Sequence, residues 1–355
     1  MFDQSVHDAI KRKNRIFALS VAALTVVFVV LRMILTEIFI NHDFYETDNI
    51  LVLSVDYIIA ASIVAIYAVS FFIYKHKKEN HKYAEILDCF VQGTQAQVFS
   101  AALTGFLFVA SAVFQGYSFI TMSMNIPEHE LDHLKELPFM QRVIEYMQQY
   151  PFDFAIFFLA VLSAVYFFKT AAMNFDIGGN AAQPSADAKN KNENPEDGEN
   201  EENDPDNIDK ILEEQRSSKP GISGHKFTSA HIMFSFMPII WSFLNVFKDF
   251  FDMSKSVNSP VRVYELMSFL ALSVYFVSES RMLVDRRESS RFFTFAYIAV
   301  ILTAVSSLPN LIWSSYWMFE PNNSQIVYAV ELALVVYILS RVYSQIRYGR
   351  FMLQR

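Results

Sequence analysis

The chain has 355 residues, of which 53% are hydrophobic, 15% aromatic and only 19% charged, whereas soluble domains carry about a quarter charged residues. Its net charge of −8 is local, because residues 174–226 hold 13 of the 37 acidic residues but only 6 of the 29 basic ones, so the acidity does not indicate nucleic-acid binding or an acidic substrate. The single cysteine, Cys89, excludes an intrachain disulfide and a cysteine-based zinc site.

Eight long hydrophobic segments follow one another along the chain. A helix needs roughly 20 apolar residues to cross a hydrocarbon core of about 30 Å, and within a helix every backbone polar group is satisfied. The sequence therefore predicts an all-α, polytopic membrane protein of about eight transmembrane helices rather than a soluble helical bundle. The predicted spans are 16–40, 50–74, 97–121, 152–173, 229–251, 263–284, 292–313 and 325–346.

Basic residues lie at alternate ends of these spans. The loops on the other side, 41–49, 122–151, 252–262 and 314–324, carry few of them and several acids. Since cytoplasmic loops are enriched in Lys and Arg, we expect both termini to be cytoplasmic and the first span to be retained as an anchor in the cell membrane. The basic clusters are Lys11, Arg12, Lys13 and Arg15; Lys75, Lys77, Lys78 and Lys82; Arg281, Arg286, Arg287 and Arg291; and Arg341, Arg347, Arg350 and Arg355.

Two amphipathic segments lie between the spans. Residues 79–92 place apolar side chains at helical spacing, which predicts a helix on the membrane surface or a continuation of the second span. Residues 128–149 form the longest loop on the predicted outer side, and we expect a helix interrupted near Pro138. Pro238 and Pro309 fall inside the fifth and seventh spans and are expected to kink them.

The segment 174–227 divides the chain into two membrane halves of four helices each, 1–173 and 228–355. It is rich in Asn, Glu, Asp, Pro, Gly and Ser and poor in apolar residues. Such a segment cannot bury enough surface to offset its ordering entropy. We therefore expect a disordered, cytoplasmic, acidic linker, which is available to a protein partner.

Charged residues inside the spans are the main candidate functional residues. An isolated charge near the bilayer centre costs about 2.5–3.5 kcal/mol on insertion scales, so each is expected to face the bundle interior with a partner. Arg32, Asp56 and Glu331 lie at similar depth in the predicted outer third, and Glu37 lies nearer the same surface. Two interpretations fit: ion pairs that fix helix register, or a polar cavity that opens outward and binds an ion or a small polar solute.

A second pair of charges lies in the predicted inner third. Glu279 and Arg341 are each the seventeenth residue of their predicted spans. Their matching depth indicates that they meet if their helices are neighbours.

The sequence also contains a short motif typical of zinc peptidases. His129, Glu130 and His133 match HExxH, in which two imidazoles on one helix face bind zinc and the glutamate activates its water. The resemblance covers five residues, the motif lies in a loop bounded by Pro127 and Pro138, and no third ligand is obvious. We expect a charged loop helix here rather than a metal site or a peptidase.

The remaining patterns give no evidence for an enzyme or a cofactor. There is no phosphate-binding or dinucleotide-binding glycine pattern and no serine-nucleophile elbow. Two main functions stay open: a passive or secondary transporter, and a non-catalytic membrane scaffold or regulatory subunit. The expected partners are the lipid bilayer, a small polar solute or ion, and a protein that binds the acidic linker, but no nucleic acid.

Overall fold

The structure is a computed structural model. It describes residues 4–41, 44–45, 50–74, 84–87, 94–124, 138–182, 229–251, 260–285, 290–317, 323–348 and 350–353.

The described residues form ten helices and four short strands. The helices are α1 (Gln4–Phe39), α2 (Ile50–Tyr74), α3 (Gln95–Met124), α4 (Phe139–Gln149), α5 (Pro151–Ala182), α6 (Ser229–Ser235), α7 (Met237–Phe251), α8 (Pro260–Asp285), α9 (Ser290–Trp317) and α10 (Asn323–Tyr348). The strands are β1 (Ile40–Asn41), β2 (Phe44–Tyr45), β3 (Ala84–Leu87) and β4 (Arg350–Leu353).

Eight of the described segments are long and apolar enough to cross a membrane. They begin and end within a few residues of the predicted spans, from Arg12–Ile38 in α1 to Gln325–Ile346 in α10. The prediction of a multi-pass helical membrane protein is therefore confirmed. α5 continues to Ala182, so the first residues of the predicted linker are helical, whereas residues 183–228 lie outside the described part of the chain.

The fifth span consists of two helices. α6 ends at Ser235, and α7 begins at Met237, directly before Pro238. Proline has no N–H to donate to the preceding turn, and the amide of Phe236 instead bonds the carbonyl of Met233 at 3.3 Å, with the spacing of a tighter turn. Pro309, by contrast, lies inside α9, which continues to Trp317.

Local sequence explains where α3 and α4 begin. The Thr94 hydroxyl accepts the amide of Gln97 at 3.2 Å, and the Gln97 side chain accepts the amide of Thr94 at 3.3 Å, which is a reciprocal capping box. α4 follows Pro138, whose carbonyl accepts hydrogen bonds from the amides of Gln141 and Arg142. The predicted helix near Pro138 is thus confirmed over Phe139–Gln149, and residues 128–137 lie outside the described residues.

The strands form two antiparallel pairs, β1 with β2 and β3 with β4. In the second pair Ala84 lies opposite Leu353, and Leu87 lies opposite Arg350. The predicted helix over 79–92 is therefore wrong at residues 84–87. The backbone groups there are satisfied by a strand at the other end of the sequence, which local periodicity cannot reveal.

α9 is the centre of the bundle. It packs against α1, α2, α8 and α10, while α3 packs against α5 and α10, and α7 packs against α5 and α8. Accordingly, 83% of an 18-residue stretch within Phe292–Ile312 is buried inside the protein, against 17% of one within Ile50–Ser70 in α2. The remaining apolar surface of α2 suits contact with lipid. Helices from both sides of the linker therefore share one core.

Candidate functional site

Buried polar side chains form two groups at different depths of the bundle. The first, called the Arg32 cluster, lies at the end where α1 ends and α2 begins. It comprises Arg32, Asp56, Tyr264, Glu265, Ser268, Thr303, Tyr328 and Glu331. The second, called the Glu279 cluster, lies toward the other end and comprises Tyr166, His231, Tyr275, Glu279, Tyr337 and Arg341.

Tyr264 links two of the predicted charges in the Arg32 cluster. The guanidinium carbon of Arg32 lies 3.7 Å from the centre of the Tyr264 ring. The Tyr264 hydroxyl donates a hydrogen bond of 2.6 Å to Oδ1 of Asp56. One tyrosine from α8 therefore contacts both charges, Arg32 through its ring face and Asp56 through its hydroxyl. Cation–π attraction holds the arginine in place.

The guanidinium of Arg32 has unused donors. Its side chain is only 3% exposed, and its Nε and Nη2 atoms have no hydrogen-bond partner among the described residues. A buried donor without a partner costs about 1–3 kcal/mol, and more when it is charged. The arrangement is therefore suited to an additional acceptor.

Two further carboxylates belong to the same cluster. Glu331 in α10 is fully buried, and its Oε1 lies 2.5 Å from Oγ of Ser268 in α8. That hydroxyl oxygen also lies 3.2 Å from Oγ1 of Thr303 in α9. Glu265 is buried as well and accepts a hydrogen bond from the Tyr328 hydroxyl. Side chains from five helices thus converge at one depth.

The Glu279 cluster contains a buried ion pair. Nε of Arg341 lies 3.1 Å from Oε1 of Glu279, and both side chains are almost completely buried. The Tyr337 hydroxyl donates to the same Glu279 oxygen at 2.7 Å. The structure therefore brings together the two charges whose depths match in the sequence, and their helices, α8 and α10, are bridged by these side chains.

Aromatic rings surround this ion pair. Tyr275 and Tyr166 are fully buried beside it. The ring of Tyr166 lies 5.3 Å from that of His231, which joins α5 to α6. Low polarity strengthens the pairing, but it also makes removal of either charge costly. This environment suits a structural ion pair.

A group of apolar rings from α3, α5, α7 and α8 packs together in the interior and extends to the Glu279 cluster, where Phe167 contacts Tyr337. Phe108 contacts Trp241 at 4.8 Å and Phe167 at 5.4 Å between ring centres. Trp241 contacts Phe269 at 5.7 Å, and Phe167 contacts Phe276 at 6.1 Å. These five side chains, called the central aromatic cluster, are all buried. They fill the middle of the bundle with side chains that neither donate nor accept hydrogen bonds, apart from the indole N–H.

Glu37, another predicted site residue, is not part of either cluster. Glu37 is exposed on α1. The HExxH residues His129, Glu130 and His133 lie outside the described residues. Within the part of the chain that the structure describes, no group of three or more His, Cys, Asp or Glu side chains could hold a metal ion.

Several cluster residues are not predicted from the sequence. Glu265 lies too near the start of its span to indicate burial, since charges are common at membrane interfaces. The hydroxyl residues are frequent in membrane helices and carry no distinguishing pattern. Helical spacing was the one available signal, because Tyr264, Ser268, Tyr275 and Glu279 lie along one side of α8.

No family model matches the chain, and neither a curated protein nor a solved structure matches it.

Proposed function

We propose that this chain is a secondary transporter or permease for a small polar solute, and that the Arg32 cluster is its binding site. The observation that carries the proposal is the convergence of Arg32, Asp56, Glu265 and Glu331 with hydroxyl side chains from five helices at one depth. Intramembrane ionisable residues are retained mainly along substrate and ion pathways. The sequence has no nucleotide-binding motif, so transport would be passive or secondary.

The contrast between the two clusters supports a binding role for the first. In the Glu279 cluster the opposite charges contact each other directly. In the Arg32 cluster a tyrosine stands between the Arg32 and Asp56 charges. A group that only fixed helix register would be expected to pair its charges directly, because direct contact offsets part of the desolvation cost of each charge.

The central aromatic cluster supports a closed state of such a transporter. Alternating access requires a barrier that closes the binding site from one side of the membrane at a time. Phe108, Phe167 and Trp241 pack against one another in the interior, and in this proposal they belong to the barrier that closes the site from the opposite side. Movement of α7 and α8 past α3 and α5 would open that barrier.

We further propose that the chain lies in the cell membrane with both termini in the cytoplasm, since the basic loops alternate as described. Reporter fusions at residue 355 and within the loop 252–259 test this orientation. A fluorescent cytoplasmic reporter is expected to be active at the C-terminus, and a periplasmic or luminal reporter is expected to be active in the loop. The reverse pattern would invert the proposed access direction.

Cysteine accessibility tests the transporter proposal without knowledge of the solute. In a Cys89→Ser background, Ser268→Cys places a thiol in the Arg32 cluster, and Ser163→Cys places one at a fully buried site on α5. Sealed vesicles of each orientation are treated with a charged, membrane-impermeant thiosulfonate. We expect Ser268→Cys to react from both faces, because the site opens to each in turn, and Ser163→Cys to stay unreactive. A Ser268→Cys thiol that is unreactive from both faces would favour a scaffold or regulatory subunit.

A further inference from the structure

Arg32 presents one defined edge for binding. Its Nε and Nη2 donors are the two atoms without a hydrogen-bond partner among the described residues, and the side chain is 3% exposed. These two atoms lie on the same side of the planar guanidinium group. Together they form a fork that matches the two oxygens of a carboxylate.

Tyr264 fixes the orientation of this edge without using its hydrogen-bond donors. A guanidinium whose carbon lies 3.7 Å from a ring centre contacts the ring through its face. Stacking of this kind leaves the in-plane N–H groups free. The hydrogen bond from the Tyr264 hydroxyl to Asp56 in turn holds the ring. The fork is therefore preorganised, and its ordering cost is already met in the folded protein.

The charged residues around the fork restrict which net charge a ligand can carry. Asp56 is joined to Arg32 through Tyr264, and Glu265 and Glu331 belong to the same cluster and lie near Tyr328. A phosphate or a dicarboxylate would bring further negative charge to three carboxylates. A ligand that carries one carboxylate and one ammonium group satisfies both signs. Asp56 is an acceptor for the ammonium, because the hydrogen bond from Tyr264 uses Oδ1 and leaves Oδ2.

We propose that the Arg32 cluster binds a small zwitterion of the amino-acid class, with its carboxylate on the Nε–Nη2 edge of Arg32 and its ammonium on Asp56. This inference rests on the proposed function and names the class of solute. It requires no change in the charge of the buried cluster when the ligand binds, which lowers the desolvation cost of carrying a polar solute into the membrane.

Ligand-dependent thermal stability of the purified full-length protein in detergent tests this proposal. The probes are the standard L-amino acids at millimolar concentration, together with two analogues of alanine: propionate, which lacks the ammonium, and alaninamide, which lacks the carboxylate. A ligand that binds only the folded state raises the midpoint of unfolding. We expect at least one amino acid to raise it, and propionate and alaninamide to leave it unchanged. The proposal is overturned if no amino acid raises the midpoint, or if propionate or alaninamide raises it as much as the best amino acid does.

Three variants locate the binding. Arg32→Lys keeps the positive charge but removes the fork, and we expect it to weaken binding of the best amino acid at least about tenfold. Asp56→Asn is expected to weaken it similarly, by loss of the ammonium partner. Glu37→Gln changes an exposed charge on the same helix and is the matched control. The midpoint of each variant without ligand shows whether it folds. Binding by Arg32→Lys equal to that of wild type would refute the assignment.

The two proposals fail differently. If Ser268→Cys reacts from both faces while no amino acid binds, the transporter stands and the zwitterion is wrong. If an amino acid binds through Arg32 while the thiol reacts from one face alone, the ligand class stands and transport is wrong.

Discussion

At the scale of single residues, the two clusters differ in how their charges are compensated. Glu279 and Arg341 contact each other directly inside the core. Arg32 packs against the face of Tyr264, and its Nε and Nη2 donors have no hydrogen-bond partner among the described residues. Direct pairing lowers the desolvation free energy of burying two charges, although an apolar pair would often be as stable. The first arrangement therefore suits structure, and the second suits binding.

The buried ion pair leads to a stability prediction. Removal of one partner strands a buried charge, so we expect Arg341→Met or Glu279→Gln to cost about 3–5 kcal/mol, and the double variant to recover much of it. The control pair is Lys248 with Asp153, at 2.6 Å, whose side chains are 38% and 35% exposed. Lys248→Met is expected to cost only about 0–1 kcal/mol. Thermal unfolding in detergent measures all four variants, and additive losses in the double variant would contradict a structural pair.

At the scale of elements, close approach of α3 and α5 depends on a glycine. A Cβ on Gly105 would lie 3.0 Å from Cε1 of Phe168, whereas one on Gly116 would lie 3.4 Å from Cε2 of Phe157. Small residues let membrane helices approach and gain dispersion contacts in the absence of a hydrophobic driving force between them. The first site is tight and the second is in ordinary contact.

The glycine contacts predict unequal effects of added bulk. Gly105→Val is expected to lower stability by about 1–3 kcal/mol, because its methyl groups would displace the Phe168 ring. Gly116→Ala is expected to be neutral or to stabilise by up to about 1 kcal/mol, since alanine favours the helix. Unfolding midpoints of the purified variants give the comparison. Equal midpoints for Gly105→Val and wild type would show that Phe168 relaxes without cost.

The elements also show what sequence patterns could predict. The ends of the spans follow from hydropathy, and the break of the fifth span follows from Pro238, because both effects act within a few residues. The pairing of β3 with β4 was not predictable, since its partner lies at the other end of the chain. The matching depths of Glu279 and Arg341 in their predicted spans indicated that these two residues could meet. Nothing in the sequence indicated that Tyr264 lies between Arg32 and Asp56.

At the scale of the whole molecule, the linker does not separate two independent cores. α1 and α2 pack against α9, α3 packs against α10, and α5 packs against α7. Each of these contacts joins helices from opposite sides of the segment 174–227. The Arg32 cluster crosses the same division, because Arg32 and Asp56 come from one side and Tyr264 comes from the other.

This arrangement predicts that the two halves need each other. When the chain is divided within the linker, after residue 202, we expect the separate halves to aggregate in detergent and the co-expressed halves to purify as one complex. The physical reason is that each half alone exposes polar cluster residues to lipid, which costs several kcal/mol per group. Size-exclusion chromatography measures the result. Two monodisperse, separately stable halves would instead support the predicted division into membrane domains 1–173 and 228–355.

The sequence alone determined the number of spans, their approximate bounds and the depth of the charges inside them, because the hydrocarbon core has a fixed thickness and hydropathy along the chain shows which residues cross it. It did not determine which helices are neighbours or how each is rotated. Those properties depend on side-chain packing between distant segments, and only the tertiary structure decided that Tyr264 joins Arg32 to Asp56 and that Tyr337 bonds Glu279 beside Arg341. The candidate site is a product of this lateral arrangement.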